Sequence, residues 1–128
     1  MAVRSSRRQR QRGAVYLKRA YEPPAPDDGQ RFLVERLWPR GVRKVGLHLD
    51  GWLKEVAPSP ALRQWFSHDP EKWPTFKRRY FDELRANEEA LAPLRDAASK
   101  GPVTLVYGAR DTEHNAAVAL REYLAGRR

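Results

Sequence analysis

Bulky apolar residues are concentrated in three short segments, and this pattern predicts three β-strands. The segments are residues 15–21 (VYLKRAY), residues 31–38 (RFLVERLW) and residues 103–107 (VTLVY). In the middle segment, Phe32 falls on one face of the strand and Leu33 falls on the other. Because bulky apolar side chains occupy both faces, we expect this strand to be covered on both sides.

Later segments carry apolar residues three or four positions apart, which predicts helices. Ser59 and Asp69 are expected to cap two of them, since each stands directly before a proline, a residue well suited to the first helical position. A further helix is expected over residues 88–99. The last helix ends the chain, and we expect Asp111 or Thr112 to cap it.

The order of these elements is strand, strand, several helices, strand, helix. Residues 39–52 separate the second strand from the helices and contain one proline and three glycines, so we expect a loop with a turn of helix at its end. Such an order predicts an α/β fold with a mainly parallel sheet flanked by helices. Because no linker or repeat divides the chain, we expect a single domain over residues 14–126, preceded by a tail over residues 1–13.

The composition narrows the class of protein. The chain has 128 residues, 41% of them hydrophobic, and no cysteine, which excludes disulfides and thiolate chemistry and is typical of a cytosolic protein. No apolar run approaches the roughly 20 residues that cross a bilayer, and no apolar segment follows the basic start as in a secretory signal. We therefore predict a cytoplasmic protein without a membrane partner.

The net charge of +9 indicates affinity for polyanions, but its distribution weakens that indication. Five arginines and no acid lie in residues 1–13, whereas basic residues only slightly outnumber the 16 acidic ones in the remainder. We interpret this Ser/Gln/Arg segment as a disordered, solubilising tail. The alternative is an arm that binds nucleic acid or a membrane surface.

Polar side chains crowd the junction VYGARDTEHN between the last strand and the last helix. In open α/β sheets, ligands bind beyond the carboxyl ends of the strands. Asp111 and His114 are three residues apart and can share one helical face, where they are candidates for acid–base roles. Tyr107 and Asn115 are candidates for positioning a ligand. The competing interpretation is a helix cap with His114 as its partner.

A second polar group, ERLWPRG, lies at the end of the second predicted strand. Arg36 and Arg40 are candidates for an anion-binding pair, because a guanidinium group suits bidentate contact with phosphate or carboxylate. Gly41 would let the backbone approach a ligand. By composition alone, surface pairing of Glu35 with Arg36 or Arg40 is the favoured explanation of the stretch.

Three further residues complete the list of candidates. His68 is a candidate catalytic imidazole, and Lys54 and Ser59 are candidate ligand-binding groups in GWLKEVAPS. Each also has a purely structural interpretation, as a junction histidine, a solvated lysine or a helix cap. The three histidines of the chain lack the spacing of a metal site, so no metal site is predicted, and no cofactor is indicated.

Taken together, the motifs of this sequence resemble those of the YeaO-like proteins, domain of unknown function family 488. The resemblance rests on ERLWPRG, WLKEVAPS, LRQWFSHDPEKWPTF, ELRAN and GPVTLVYGARDTEHNAAV and runs from about Tyr16 to Tyr123. Family members more often have Asp at the position of Glu35, and they commonly have Ala or Ser at the position of Gly108. The resemblance implies a compact α/β domain in which the polar residues of these motifs carry the function.

The family has no settled activity, so three hypotheses remain. The first is a domain that binds, or acts on, a small anionic ligand of phosphate or nucleotide type in an Arg/His/Asp cleft. The second is a nucleic-acid-binding accessory protein that uses the basic tail. The third is a structural or interaction domain whose polar network closes the fold. The sequence does not decide between binding and catalysis, and it predicts no oligomeric state.

Overall fold

The computed structural model describes residues 13–126 and is built around a four-stranded sheet. Its strands are β1 (Val15–Arg19), β2 (Gln30–Leu33), β3 (Gly51–Trp52) and β4 (Val103–Tyr107). They lie in the order β1-β4-β2-β3, and all three neighbouring pairs are parallel. The predicted α/β fold with a parallel sheet is confirmed.

Five α-helices accompany the sheet within the described residues. They are α1 (Lys44–Leu47), α2 (Pro60–Phe66), α3 (Trp73–Ala86), α4 (Ala92–Lys100) and α5 (Ala116–Leu124). The Ser59 hydroxyl accepts the Leu62 N–H at 3.2 Å and so caps α2 as predicted. Asp69 also acts as predicted: it caps the 3-10 turn Pro70–Lys72 that leads into α3.

The core lies on both faces of the sheet, but unequally. On one face, Phe32 and Leu105 pack with α2–α5 in the main core, where Phe76, Tyr80 and Leu120 are almost fully buried. On the other face, a smaller cluster contains Ala20, Leu33, Leu47 and Val106, covered by half-buried residues of the loop after β2. The prediction that β2 is covered on both sides is confirmed.

Several predicted boundaries are wrong. β2 ends at Leu33 rather than near residue 38, because the chain leaves the sheet after the Val34 N–H donates to the Val106 carbonyl at 3.2 Å. β3 was not predicted, since its two residues carry no alternating pattern. The helical turn α1 lies in the middle of the 39–52 loop and not at its end.

The predicted cap of the last helix is also wrong. Asn115, not Asp111 or Thr112, is the N-cap of α5, because its side-chain oxygen accepts the Val118 N–H at 2.9 Å. Asp111 instead closes a separate turn by accepting the N–H groups of Glu113 and His114. The helix therefore begins one turn later than predicted.

The turn between β1 and β2 contains a buried carboxylate with two cationic partners. Asp28 lies 2.9 Å from the Lys18 amine, pairs with the Arg31 guanidinium and accepts the Ala25 N–H at 3.1 Å. Burial raises the pKa of Asp28, but the hydrogen bonds from Lys18, Ala25 and Arg31 outweigh it and leave that pKa below its usual value. The group joins the start of β2 to β1, two strands that do not pair directly.

The predicted tail at residues 1–13 falls almost wholly outside the described part of the chain, so its interpretation remains a prediction. Among residues 13–126, none of the helices combines the length and the apolar character that crossing a membrane requires.

Candidate functional site

A cleft of about 570 Å³ opens at the carboxyl ends of β2 and β4, where the two polar motifs ERLWPRG and VYGARDTEHN meet. Its walls come from residues 34–40 after β2, from Gly108 and Ala109 after β4, and from α2 and the loop that follows it. Its lining includes the charged residues Glu35, Arg36, Arg40 and Arg63 and the polar residues Tyr21, Gln64, Ser67, His68 and Asn115. This volume lies in the range typical of small-molecule sites.

Arg36 is fixed in the cleft by backbone oxygens rather than by a carboxylate. Its Nε donates to the Pro58 carbonyl at 3.1 Å, and one terminal nitrogen reaches the Ala57 carbonyl at 3.5 Å. Within the described chain, Arg36 forms no ion pair. The side chain is therefore held in place while its positive charge is left uncompensated.

Arg40 and Arg63 add two more guanidinium groups at the rim of the cleft. Both side chains are exposed, and neither forms an ion pair with any residue between 13 and 126. The backbone of Arg40 is nevertheless anchored, because its carbonyl accepts the Tyr21 hydroxyl at 3.0 Å. Three guanidinium groups thus line a cleft that contains one carboxylate, which makes it electropositive.

The single carboxylate of the cleft, that of Glu35, accepts a backbone hydrogen bond. Glu35 Oε1 accepts the Gly108 N–H at 2.7 Å and so ties the segment after β2 to the segment after β4. Glu35 does not lie within ion-pair distance of Arg36 or Arg40. The pairing that composition alone suggested is therefore absent from the structure of these residues, and Glu35 holds the two strand ends together.

The loop after α2 carries two consecutive residues in the left-handed backbone region. Ser67 has φ 47° and His68 has φ 57°. Non-glycine residues rarely adopt this region, and strained backbone of this kind clusters at functional sites. Both residues line the cleft, and the His68 ring lies 6.2 Å from that of Phe66. The cleft wall therefore contains two consecutive residues with positive φ.

Replacing Ser67 with glycine is expected to raise the free energy of unfolding by about 1 kcal/mol, because glycine adopts positive φ without a Cβ penalty. Thermal or urea unfolding measures the change. The matched control is Ser99→Gly, which places glycine near the end of α4 and is expected to lower stability. A lower stability of Ser67→Gly than wild type would contradict the strain at this position.

Asp111 and His114 pair with each other but do not line the cleft. The His114 Nδ1 lies 3.0 Å from Asp111 Oδ2, and the imidazole meets the edge of the Trp73 ring at a centroid distance of 5.4 Å. The N–H groups of Glu113 and His114, followed by the His114 side chain, hold the pKa of Asp111 below its usual range. The pair lies next to Asn115, whose side chain does reach the cleft.

Asn115 and Tyr107 form a structural connection at the same strand end. The Asn115 amide donates to the Asp111 carbonyl at 2.8 Å, and its oxygen caps α5. Tyr107 is buried and hydrogen-bonds to Asn115; burial first, and then the nearby Glu22 charge, raise the pKa of its hydroxyl. Asn115 lines the cleft, whereas Tyr107 is not among the lining residues and reaches the site only through its hydrogen bond to Asn115.

The remaining two candidates lie outside the cleft lining. The Lys54 amine stands 4.1 Å from the centroid of the Trp52 ring, a cation–π contact on the surface. The Ser59 hydroxyl donates to Glu83 at 2.6 Å while it caps α2. Four of the nine predicted residues therefore share the cleft, namely Arg36, Arg40, His68 and Asn115.

Sequence reasoning did not identify Arg63, Gln64 and Tyr21 as residues of the cleft. No sequence signal distinguishes Arg63 from other charged residues of a predicted helix, and only the fold brings α2 and the segment after β2 to one cleft. Tyr21 was placed at the end of the first predicted strand, and only the tertiary fold brings its hydroxyl to the Arg40 carbonyl.

Comparison with known proteins places the chain in a family. The chain is 43% identical over 110 residues to the uncharacterized protein YeaO of Escherichia coli (strain K12), covering 86% of this chain and 96% of that protein. It is also 43% identical over 113 residues to the uncharacterized protein Rv3073c of Mycobacterium tuberculosis (strain ATCC 25618 / H37Rv), covering 88% and 95% of the two chains. No solved structure matches the chain.

A family model extends this likeness over nearly the whole described structure. It matches residues 14–127, and its description is that of the inactive DUF488-N3 subclade. The matched range includes every residue that lines the cleft. The chain therefore belongs to the YeaO-like proteins of domain of unknown function family 488, in the subclade described as inactive DUF488-N3.

Proposed function

We propose that this protein binds a small anionic ligand of phosphate or nucleotide type in the cleft, without converting it. The observation that carries the proposal is the set of three guanidinium groups, Arg36, Arg40 and Arg63, that line one concave site without an ion-pair partner among the described residues. Unpaired guanidinium groups in a cleft favour phosphate and carboxylate ligands.

The apolar walls of the cleft favour a ligand that is larger than a simple ion. Pro39, Pro58 and Phe76 are buried and Trp38 is half-buried, and all four line the cleft beside the arginines. Sites for organic ligands combine such apolar walls with a few polar groups that fix orientation. A nucleotide-like ligand, with a flat apolar part and an anionic part, fits this lining better than inorganic phosphate does.

Two observations favour binding over catalysis. The paired Asp111 and His114, the strongest candidates for acid–base chemistry, do not line the cleft. The family model that matches the chain carries the description inactive. His68 remains in the cleft, and we assign it to ligand contact beside the arginines.

Thermal unfolding in the presence of inorganic phosphate or nucleoside monophosphates tests the proposal. Binding to the folded state alone is expected to stabilise wild-type protein by about 2.7 kcal/mol when ligand exceeds Kd about 100-fold, which raises Tm by several degrees. Arg36→Ala/Arg40→Ala is expected to lose this response. The matched control is Arg78→Ala/Arg121→Ala, which removes two exposed cations outside the cleft and is expected to keep it.

The single variant Arg40→Ala tests whether a lost ligand response is caused by misfolding. Its side chain is exposed and forms no ion pair among the described residues, so this variant is expected to unfold near the wild-type temperature without ligand. An equal ligand response in Arg36→Ala/Arg40→Ala and in wild type contradicts the site. If Arg40→Ala instead lowers stability and wild type responds to none of the anions, the polar residues only close the fold.

A further inference from the structure

The segment that follows β2 is a surface of unpaired positive charge. No acid occurs between Glu35 and Asp50, while residues 36–44 contain Arg36, Arg40, Arg43 and Lys44. None of these four cations forms an ion pair within the described chain, although other cations of the fold, such as Lys18, do. We call residues 36–44 the cationic loop. Its first half lines the cleft and its second half continues outside it.

The backbone of the cationic loop is held in place by specific hydrogen bonds. The Trp38 indole N–H donates to the Val42 carbonyl at 2.7 Å, and the Val42 N–H donates to the Pro39 carbonyl at 3.3 Å. Gly41 supplies the positive φ of 77° that the turn requires. Because consecutive residues span at most about 3.6 Å each, the Cα atoms of Arg43 and Lys44 lie within about 15 Å of that of Arg40. The four cations therefore belong to one short track of the chain.

An exposed tyrosine stands where this track enters the cleft. Tyr21 is 51% exposed and lines the cleft, and its hydroxyl is fixed to the Arg40 carbonyl. The Arg19 guanidinium lies 4.9 Å from the centroid of the ring and is itself held by the Ala109 carbonyl at 2.9 Å. A fixed, half-exposed aromatic ring backed by a cation is the kind of group on which nucleic-acid bases stack.

We propose that the cleft and the cationic loop together bind single-stranded nucleic acid. One nucleotide occupies the cleft with its base against Tyr21, and the following phosphates lie along Arg40, Arg43 and Lys44. A charged groove combined with a stacking ring is how proteins hold single strands without reading their sequence. This inference rests on the proposed function, since it identifies the anion of the cleft as a phosphodiester.

An anionic membrane suits the same surface less well. Leu37 and Val45 are the large exposed apolar residues of this region, and they do not form the continuous apolar face of a membrane-binding helix. Two of the four cations, Arg36 and Arg40, also line a concave cleft, which a strand can enter and a bilayer surface cannot. The geometry therefore favours a strand.

The test measures the anisotropy of fluorescein-labelled oligouridine and oligothymidine of about 12 nucleotides with the full-length protein over a range of salt concentrations. Both the test variant and its control are made in a full-length protein whose five tail arginines are replaced by glutamine, so that the tail contributes no charge. Arg43→Glu/Lys44→Glu is expected to weaken binding at least tenfold and to flatten the salt slope, which changes by about 0.7 per phosphate contact. Arg78→Glu/Arg121→Glu, with the same change in net charge elsewhere on the surface, is expected to weaken it far less.

Substitutions of Tyr21 separate stacking from charge. Tyr21→Leu is expected to weaken binding about tenfold with an unchanged salt slope, because base stacking is lost and no phosphate contact is. Tyr21→Phe keeps the ring and loses only the hydrogen bond to the Arg40 carbonyl, so it is expected to bind nearly as wild type does. Circular dichroism of each variant establishes that it is folded.

Each other outcome has a defined meaning. Equal weakening by the charge-reversal pairs at the cationic loop and at the control positions overturns the inference, and so does tight binding to phosphatidylserine vesicles with none to oligonucleotides. If nucleoside monophosphates stabilise the protein while oligonucleotides do not bind, the cleft keeps its proposed function and the strand is excluded. If neither binds, both proposals fail.

Discussion

Replacing Asp28 with asparagine is expected to lower the free energy of unfolding by about 3–5 kcal/mol. The substitution keeps the shape of the side chain but removes the charge that compensates Lys18 and Arg31. Arg31 is only 3% exposed, and one of its terminal nitrogens already has no hydrogen-bond partner. The variant would leave the buried Arg31 without a compensating charge, which is among the most destabilising changes a fold can undergo.

Urea unfolding of Asp28→Asn and of Asp27→Asn provides the comparison. Asp27 precedes Asp28 but is exposed and has no ion-pair partner among residues 13–126, so its substitution is expected to change stability by less than about 0.5 kcal/mol. Similar losses in the two variants would show that the buried group does not hold β1 to β2.

The same carboxylate predicts how stability depends on pH. Because the pKa of Asp28 is lower in the folded protein than in the unfolded chain, its contribution is fully present above the unfolded value of about 3.9. As pH falls from there through the lower folded pKa, that contribution is lost. The difference in stability between wild type and Asp28→Asn is therefore expected to shrink below about pH 4 and to stay constant above about pH 5.

Gly29→Ala is the second substitution with a large expected effect, a loss of about 3 kcal/mol or more in unfolding free energy. Gly29 has φ 65°, and a Cβ built on it would lie 2.0 Å from the Pro102 carbonyl oxygen. That oxygen also accepts the Gln30 N–H at 3.1 Å, so the backbone cannot move aside without losing the start of β2. Both the strain and the clash act in the folded state.

Gly101→Ala is the matched control. Gly101 directly precedes Pro102, the residue whose carbonyl oxygen a Cβ at position 29 would meet. Its backbone is extended at φ 174°, and an added Cβ would meet no atom within 4 Å. We expect this variant to unfold at nearly the wild-type urea concentration. If Gly29→Ala were as stable as Gly101→Ala, the close approach of these two segments would be wrong.

The sequence was sufficient to predict what local chemistry determines. Ser59 and Asp69 cap their turns as predicted, because a side-chain oxygen before a proline leaves the backbone few alternatives. The parallel sheet also followed from the order of the elements. The cap of α5 could not be predicted in the same way, since Asp111, Thr112 and Asn115 are all good caps and tertiary packing selects among them.

The end of β2 shows why the site was only partly predictable. RFLVERLW carries a continuous strand pattern, but the chain leaves the sheet after Val34 because Glu35 bonds to Gly108 and Arg36 bonds to Pro58. These contacts join residues far apart in sequence, so no local pattern contains them. The positive φ of Ser67 and His68 was equally hard to predict, because serine is not enriched at positive φ and most histidines do not adopt it despite their enrichment there.

The position of β4 affects the order in which the fold can assemble. β4 is the last strand in chain order, yet it lies between β1 and β2 and pairs with both. During synthesis, Val15 emerges from the ribosome long before its partner Val103. Until then β1 has no neighbour among the described strands, and β2 has only the two residues of β3. The sheet can therefore be completed only after β4 has been synthesised, because β4 supplies the pairing partner of both β1 and β2.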